Sequence, residues 1–412
     1  MENNKKLRIG LFTDTYYPFI SGVVVAVDTL RKALEEQGHT VYIITLNSNF
    51  KSHRYVKKNN VLQIPGVPIG VMDFSVRVSY PYKAVKYIKD LNLDIIHSHT
   101  EFSMGLFAKS MAKKLGIPMV QTFHTLYEDA IDYVTRGYFP NASRNILKVY
   151  MKKYFSKTIS DVIVPTDKTK DFLKQRYHLK QNIHVIPNGI DTEKFYESNV
   201  NKSEIKKLRK KYGINDDTFV VSWIGRLGYE KRINYLIDGF KQVIKDNKNA
   251  KLLIVGTGPE EESLKELVKD LDLNDYVIFT GKVSYDEIYK YYNLSNVIAS
   301  ASHFETQGLT LVEAFSASRP VVVVNDKSFT PIVKNGFNGM IFKNKKEYAK
   351  AIEYLIDNKD IYEEMKKNAF LFSKSFSLQN FSCKVIYVYN KALDNYTTYN
   401  NNNKSKYNIF KR

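Results

Sequence analysis

The chain of 412 residues has a single cysteine, Cys383. That leaves no material for disulfides or cysteine metal cages, and it makes a reducing compartment, the cytoplasm, the expected setting. No cluster of His and Cys at ligand spacing offers another metal site. Long apolar runs are missing as well: Val23 to Val27 and Val321 to Val324 are among the longest, against the ~20 residues a spanning helix needs. Any membrane contact is therefore expected to be peripheral. Met1 to Arg8 is polar, without the apolar segment of a secretory signal, so export by that route is not expected. Acidic residues are in deficit, 43 Asp plus Glu against 62 Lys plus Arg, for a net charge of +19. Such a surplus asks for an anionic partner, with nucleic acid, anionic lipid and anionic substrate as candidates.

Hydrophobic residues make up 43% and aromatics 13% of the chain, enough for a packed core. The length suits two lobes of about 200 residues each. Short apolar runs alternate with helical patterns: Leu7 to Phe12, a helix near Val24 to Gln37 stopped by Gly38, then Val41 to Leu46. That is a βαβ unit. The pattern continues through Asp94 to His97, a helix near Gly105 to Leu115, Met119 to Thr122, Val162 to Pro165 and Asn182 to Ile186. A second set of strands follows at Phe219 to Ile224, Lys251 to Val255, Val277 to Thr280, Val297 to Ser300 and Pro320 to Val324. The expected fold class is α/β, with two Rossmann-like lobes of parallel sheet facing a cleft. The expected divisions are a first lobe over 1–187, a linker over 188–215, a second lobe with crossing helices over 216–394, and a disordered basic tail over 395–412.

Ligands of open α/β sheets collect at the carboxyl ends of strands, and unusual residues fall there. Phe219 to Ile224 runs into Gly225-Arg226-Leu227 with Glu230-Lys231 beyond. Two fixed cations suit a diphosphate leaving group, although such a pair alone also describes a solvated turn. Gly256-Thr257-Gly258 lets backbone approach a ligand. It is not the full dinucleotide fingerprint, and a nicotinamide enzyme is not supported. Glu305-Thr306-Gln307-Gly308-Leu309-Thr310-Leu311-Val312-Glu313 sets two carboxylates around the glycine of a helix start. Amides at that start attract phosphate, and carboxylates accept sugar hydroxyls; a capping Glu305 and a solvated Glu313 explain the segment equally well. In the first lobe Ser21-Gly22 precedes a helix and His124 follows a strand. Asp270-Leu271-Asp272 imitates a manganese-binding triplet but ends a helix, and it reads as surface.

Together, Gly225-Arg226 with Glu230-Lys231, Gly256-Thr257-Gly258, and Glu305 with Glu313 resemble the retaining glycosyltransferases of family 4, which have the GT-B fold. The resemblance spans roughly residues 7 to 393. It implies a sugar nucleotide held mainly by the second lobe, an acceptor presented by the first, and no metal. It also implies roles: Arg226 and Lys231 on the diphosphate, Glu313 on the ribose, Glu305 with the backbone of Gln307, Gly308 and Leu309 on the sugar and phosphate, Gly22 and Gly256 on the donor, and His124 at the transferred sugar. Arg319 stands where many members have Gly, and Gln307 where Phe or Pro is frequent.

A narrower likeness joins Ile20-Ser21-Gly22-Val23-Val24, His99-Thr100-Glu101-Phe102-Ser103-Met104-Gly105 and Phe123-His124-Thr125-Leu126-Tyr127-Glu128-Asp129 to bacterial diacylglycerol glucosyltransferases. It implies UDP-glucose as donor and the 3-hydroxyl of 1,2-diacylglycerol as acceptor. Arg136 to Lys157 holds six basic residues and no acidic one. Drawn as a helix from Ala142, it places Ile146, Leu147, Tyr150, Met151 and Tyr154 on one face, flanked by Arg144, Lys148, Lys152, Lys153 and Lys157. An interfacial helix is built this way, and anionic lipids on the inner face of the cell membrane are its expected partner; a helix packed on its own sheet shows the same pattern. A family-4 transferase with a soluble or polysaccharide-linked acceptor is the competing reading. A nucleic-acid-binding protein accounts for the charge but leaves the strand-end residues unused.

Overall fold

In the computed structural model, residues 5–409 are described except 20, 48–55, 59, 69–74, 77–79, 81, 125–139, 156–157, 304 and 306; residues 56–58, 67–68, 75–76, 140–142 and 399–409 are described by backbone alone. Two units emerge, one of residues 1–189 with 378–412 and one of residues 190–377.

The first unit is built on an eight-stranded sheet in the order Asn182–Val185, Ile159–Val164, Met119–Thr122, Ile95–Ser98, Arg8–Thr13, Thr40–Asn47, Val61–Pro65, Val56–Lys58. All neighbours are parallel except the last pair. Ile9, Leu11 and Phe12 are wholly buried, as expected of strands covered on both faces, which read as continuous apolar runs. Helix Gly22–Glu36 begins where the Ser21 hydroxyl accepts the Val24 amide at 3.3 Å. It stops before Gly38, whose φ of +84° suits a residue without Cβ. Chain order reverses between Arg8–Thr13 and Ile95–Ser98, which makes their carboxyl ends the switch point where such sheets hold ligands.

The second unit has six parallel strands in the order Val277–Phe279, Ala250–Val255, Phe219–Ile224, Val297–Ser300, Val321–Val324, Gly339–Phe342. Its switch point lies between Phe219–Ile224 and Val297–Ser300. Both sheets are thus the Rossmann-like type read from the sequence.

Three expected boundaries are corrected. The segment taken as a linker is part of the second unit from Ile190 onward, because Ile190, Phe195 and Ile214 are buried in its core. The second unit ends at Ser377. Helix Leu378–Ile409 belongs to the first unit, into whose core it sends Phe381, Val385, Val388, Tyr389 and Ala392. The helical backbone of Leu378–Ile409 runs on through residues 395–409, a stretch without Gly or Pro. Asp270 and Asp272 are exposed, as read.

Candidate functional site

At the second unit's switch point, the loops after Phe219–Ile224 and Val297–Ser300 carry Arg226, Lys231 and Glu305. Lys231 Nζ donates to Glu305 Oε1 at 2.5 Å, with each side chain 21% exposed. The pair ties the two loops across the switch point. Arg226 is exposed and paired with Glu230. Both cations therefore sit at the carboxyl end of the sheet, each beside a carboxylate, where an incoming polyanion can exchange partners with them.

The glycines of these loops have a different reason from the one expected. Gly225 and Gly256 have φ of +152° and +133°, and a Cβ on Gly256 would lie 1.9 Å from the Gly225 carbonyl oxygen. Gly256 is required by the contact between two strand-end loops, so its side-chain face is not open to a ligand. Gly308, at φ +71°, caps helix Leu309–Ser316 without a side-chain hydrogen bond, and a Cβ there would meet the Phe329 ring at 2.9 Å. Gln307 is buried and Leu309 half-buried.

Glu313 is not solvated. It is 7% exposed; Tyr292 Oη donates to Oε2 at 2.5 Å and Tyr285 Oη to Oε1 at 3.2 Å. Burial raises its carboxyl to about 7, against the two phenols, which favour the ionised form. Arg319, in the place often held by Gly, fills a structural position: its guanidinium donates to Glu197 Oε1 at 3.0 Å and to the carbonyls of Tyr292 and Asn293.

In the first unit His124 follows Met119–Thr122 as read, but it does not stand alone. His124 Nε2 lies 3.0 Å from His99 Nδ1, one donating and the other accepting, with the rings stacked at 5.3 Å. Behind them His97 meets Tyr389 Oη at 2.6 Å and Thr122 Oγ1 at 2.7 Å. Burial pushes His97 down to about 3, His124 to about 4 and His99 well below its usual range. All three are neutral imidazoles near pH 7, suited to hydrogen bonding rather than to charge. Asp14 is buried and raised to about 6 by desolvation, and its Oδ1 accepts the Met104 amide at 2.7 Å, which fixes the start of helix Ser103–Leu115. Sequence reasoning missed His97, His99 and Asp14; the available signal was their place at the ends of the two switch-point strands. Gly22 opens its helix, and among the described residues no atom beyond its chain neighbours and its own helix backbone comes within 4 Å of where a Cβ would stand.

The basic helix spans Pro140–Tyr154; Lys157 lies outside the described residues. Its supposed apolar face is turned inward and is corrected here. Met151 and Tyr154 are fully buried, and Leu147 and Tyr150 pack against the first unit's core. Tyr154 Oη donates to Gln121 Oε1 and Tyr150 Oη to the Glu101 carbonyl, each at 2.6 Å. Outward face Ile146, 72% exposed, and Val149, 54% exposed. Lys152 and Lys153 are exposed, and Arg144 and Lys148 partly so. Among the described residues, no helix is long and apolar enough to cross a membrane, and no three His, Cys, Asp or Glu side chains gather as a metal site.

Comparison with known proteins matches residues 20–194 to Glycosyltransferase Family 4 and residues 204–372 to the glycosyl transferases group 1. The chain is 34% identical to the alpha-monoglucosyldiacylglycerol synthase of Acholeplasma laidlawii, over 93% of this chain and 97% of that one. It is 36% identical to the synthase of the same name from Streptococcus pneumoniae, over 87% and 80%. Anabaena HepE, solved in complex with UDP and glucose, superposes with a TM-score of 0.70 at 19% identity, covering 93% of this chain and all of that one. Sucrose-phosphate synthase from Thermosynechococcus elongatus gives a TM-score of 0.71 at 18%, covering 94% and 99%. The two structures share its fold, and the two synthases match it over most of its length: the chain belongs to the family of glycosyltransferases that includes the alpha-monoglucosyldiacylglycerol synthases.

Proposed function

We propose that the chain transfers glucose from UDP-glucose to the 3-hydroxyl of 1,2-diacylglycerol, with retention, giving alpha-monoglucosyldiacylglycerol. The observation that carries this reading is the identity of about one third, over most of the chain, to two synthases of that name. In this reading Arg226 and Lys231 neutralise the departing diphosphate, Glu305 and the amides at Gly308 and Leu309 hold the sugar and its phosphate, and Glu313 takes the ribose. His124, a neutral imidazole, is assigned to the transferred sugar. The two cations supply the charge that a metal ion supplies elsewhere, so turnover is expected to persist in a chelator.

The acceptor lives in a bilayer, and the outward edge of helix Pro140–Tyr154 is the surface assigned to it. Ile146 and Val149 stand among Arg144, Lys148, Lys152 and Lys153. Phe102, 37% exposed and stacked on Tyr150, extends the apolar ground. Each Lys or Arg near an anionic surface contributes about 1 kcal/mol, enough in sum for reversible docking on the inner leaflet. Sedimentation with anionic liposomes tests this: reversing Lys148, Lys152 and Lys153 to Glu abolishes it if the helix docks. Undiminished sedimentation of that variant, and of Ile146→Ser with Val149→Ser, removes the helix from the reading.

A further inference from the structure

The two phenols on Glu313 differ in standing. Tyr292 lies on helix Ile288–Leu294, is fully buried, and donates at 2.5 Å. Tyr285 lies in the loop before that helix, is 44% exposed, and donates at 3.2 Å, a long bond for two oxygens. Lys194 steadies it from the other side: its ammonium stands 4.0 Å from the ring centroid and donates to the Tyr285 carbonyl at 2.8 Å. Oε1 is therefore the side of a buried carboxylate whose cover is itself half in water.

We propose that Tyr285 is a replaceable cover for Glu313, its hydroxyl holding Oε1 until the vicinal diol of a nucleotide's ribose takes that acceptor. This rests on the assignment of Glu313 to the ribose. A buried carboxylate oxygen left without a donor is costly, and Tyr285 supplies one in the absence of nucleotide. The exchange swaps one neutral O–H donor for another, so the hydrogen-bond count is kept while the weaker bond is given up. Tyr285 then competes with the nucleotide, and its hydroxyl lowers affinity for any ligand that needs Oε1.

Titration calorimetry with UDP and with 2′,3′-dideoxy-UDP, on wild type and Tyr285→Phe, tests this. Wild type is expected to prefer UDP. Tyr285→Phe is expected to tighten UDP about fivefold, the scale of one net hydrogen bond no longer displaced, and to leave 2′,3′-dideoxy-UDP unchanged. Tyr285→Leu, which also lacks the hydroxyl, tightens UDP in the same direction. If wild type prefers UDP but Tyr285→Phe binds it no better, the cover is overturned while the ribose assignment stands. Equal tightening of both ligands also overturns it, since the ring rather than the hydroxyl would then be the obstacle. Equal wild-type affinity for both ligands overturns the ribose assignment and the cover with it.

Discussion

Glu313→Gln is expected to make the protein more stable and a poorer binder at once. Burial raises the Glu313 carboxyl from an ordinary 4.5 to about 7, which corresponds to about 3 kcal/mol favouring the neutral form in the folded state. Below pH 4.5 the carboxyl is neutral folded or unfolded, and the folded state bears no penalty. As pH rises from 4.5 through 7 the unfolded chain ionises first, so this stabilisation is lost and the full penalty is present above about pH 7. Glutamine keeps an acceptor for one of the two hydroxyls and offers the oxygen of the other an N–H donor, without the buried charge. At pH 8 the variant should melt roughly 5–10 °C above wild type, the scale for about 3 kcal/mol in a unit of this size. The advantage should largely vanish at pH 5. Scanning calorimetry in two buffers, with UDP titration alongside, reads both effects, and UDP affinity is expected to fall on the order of tenfold. A variant no more stable than wild type at pH 8, or one with the same advantage at both pH values, refutes the buried-charge reasoning.

Arg226→Ala and Glu305→Gln should each lower turnover at least ~100-fold, the scale of one lost charge-stabilising contact in a transition state; near-normal rates in both sink the donor-site assignment. Arg319→Met removes the donors to Glu197, Tyr292 and Asn293 and should cost about 2–4 kcal/mol in a denaturant titration. Little change would mean that the carbonyls find other partners. EDTA should leave the rate of glucosyl transfer unchanged, and a rate restored only by added manganese would contradict the metal-free reading.

The buried strands were legible because parallel strands covered on both faces are rich in apolar residues: Phe219–Ile224 and Val297–Ser300 fall where the sequence reading put them, and so does Met119–Thr122 despite Gln121 and Thr122. Val61–Pro65 and the edge strand Gly339–Phe342 were not, although the edge strands Asn182–Val185 and Val277–Phe279 were. Val61–Pro65 carries Gln63 and ends in proline, and Gly339–Phe342 opens on a glycine whose missing Cβ lets it lie against the Val321 carbonyl. The strand-end cations and Glu305 could be found because they are charged residues in a loop after an apolar run. The His99–His124 pair could not, because its members are 25 residues apart and only the sheet order makes them neighbours. Periodicity also misled: the apolar stripe of helix Pro140–Tyr154 is real, but periodicity does not say which side packs on the protein, and Met151 and Tyr154 turned out to be core.

The most direct test of the transfer itself is incubation of the purified protein with radiolabelled UDP-glucose and anionic vesicles containing 1,2-diacylglycerol, followed by extraction of the lipids. The account predicts label in a monoglucosyl diacylglycerol that an α-glucosidase releases. UDP release with an unlabelled lipid phase would contradict the acceptor, and neither product would contradict the donor.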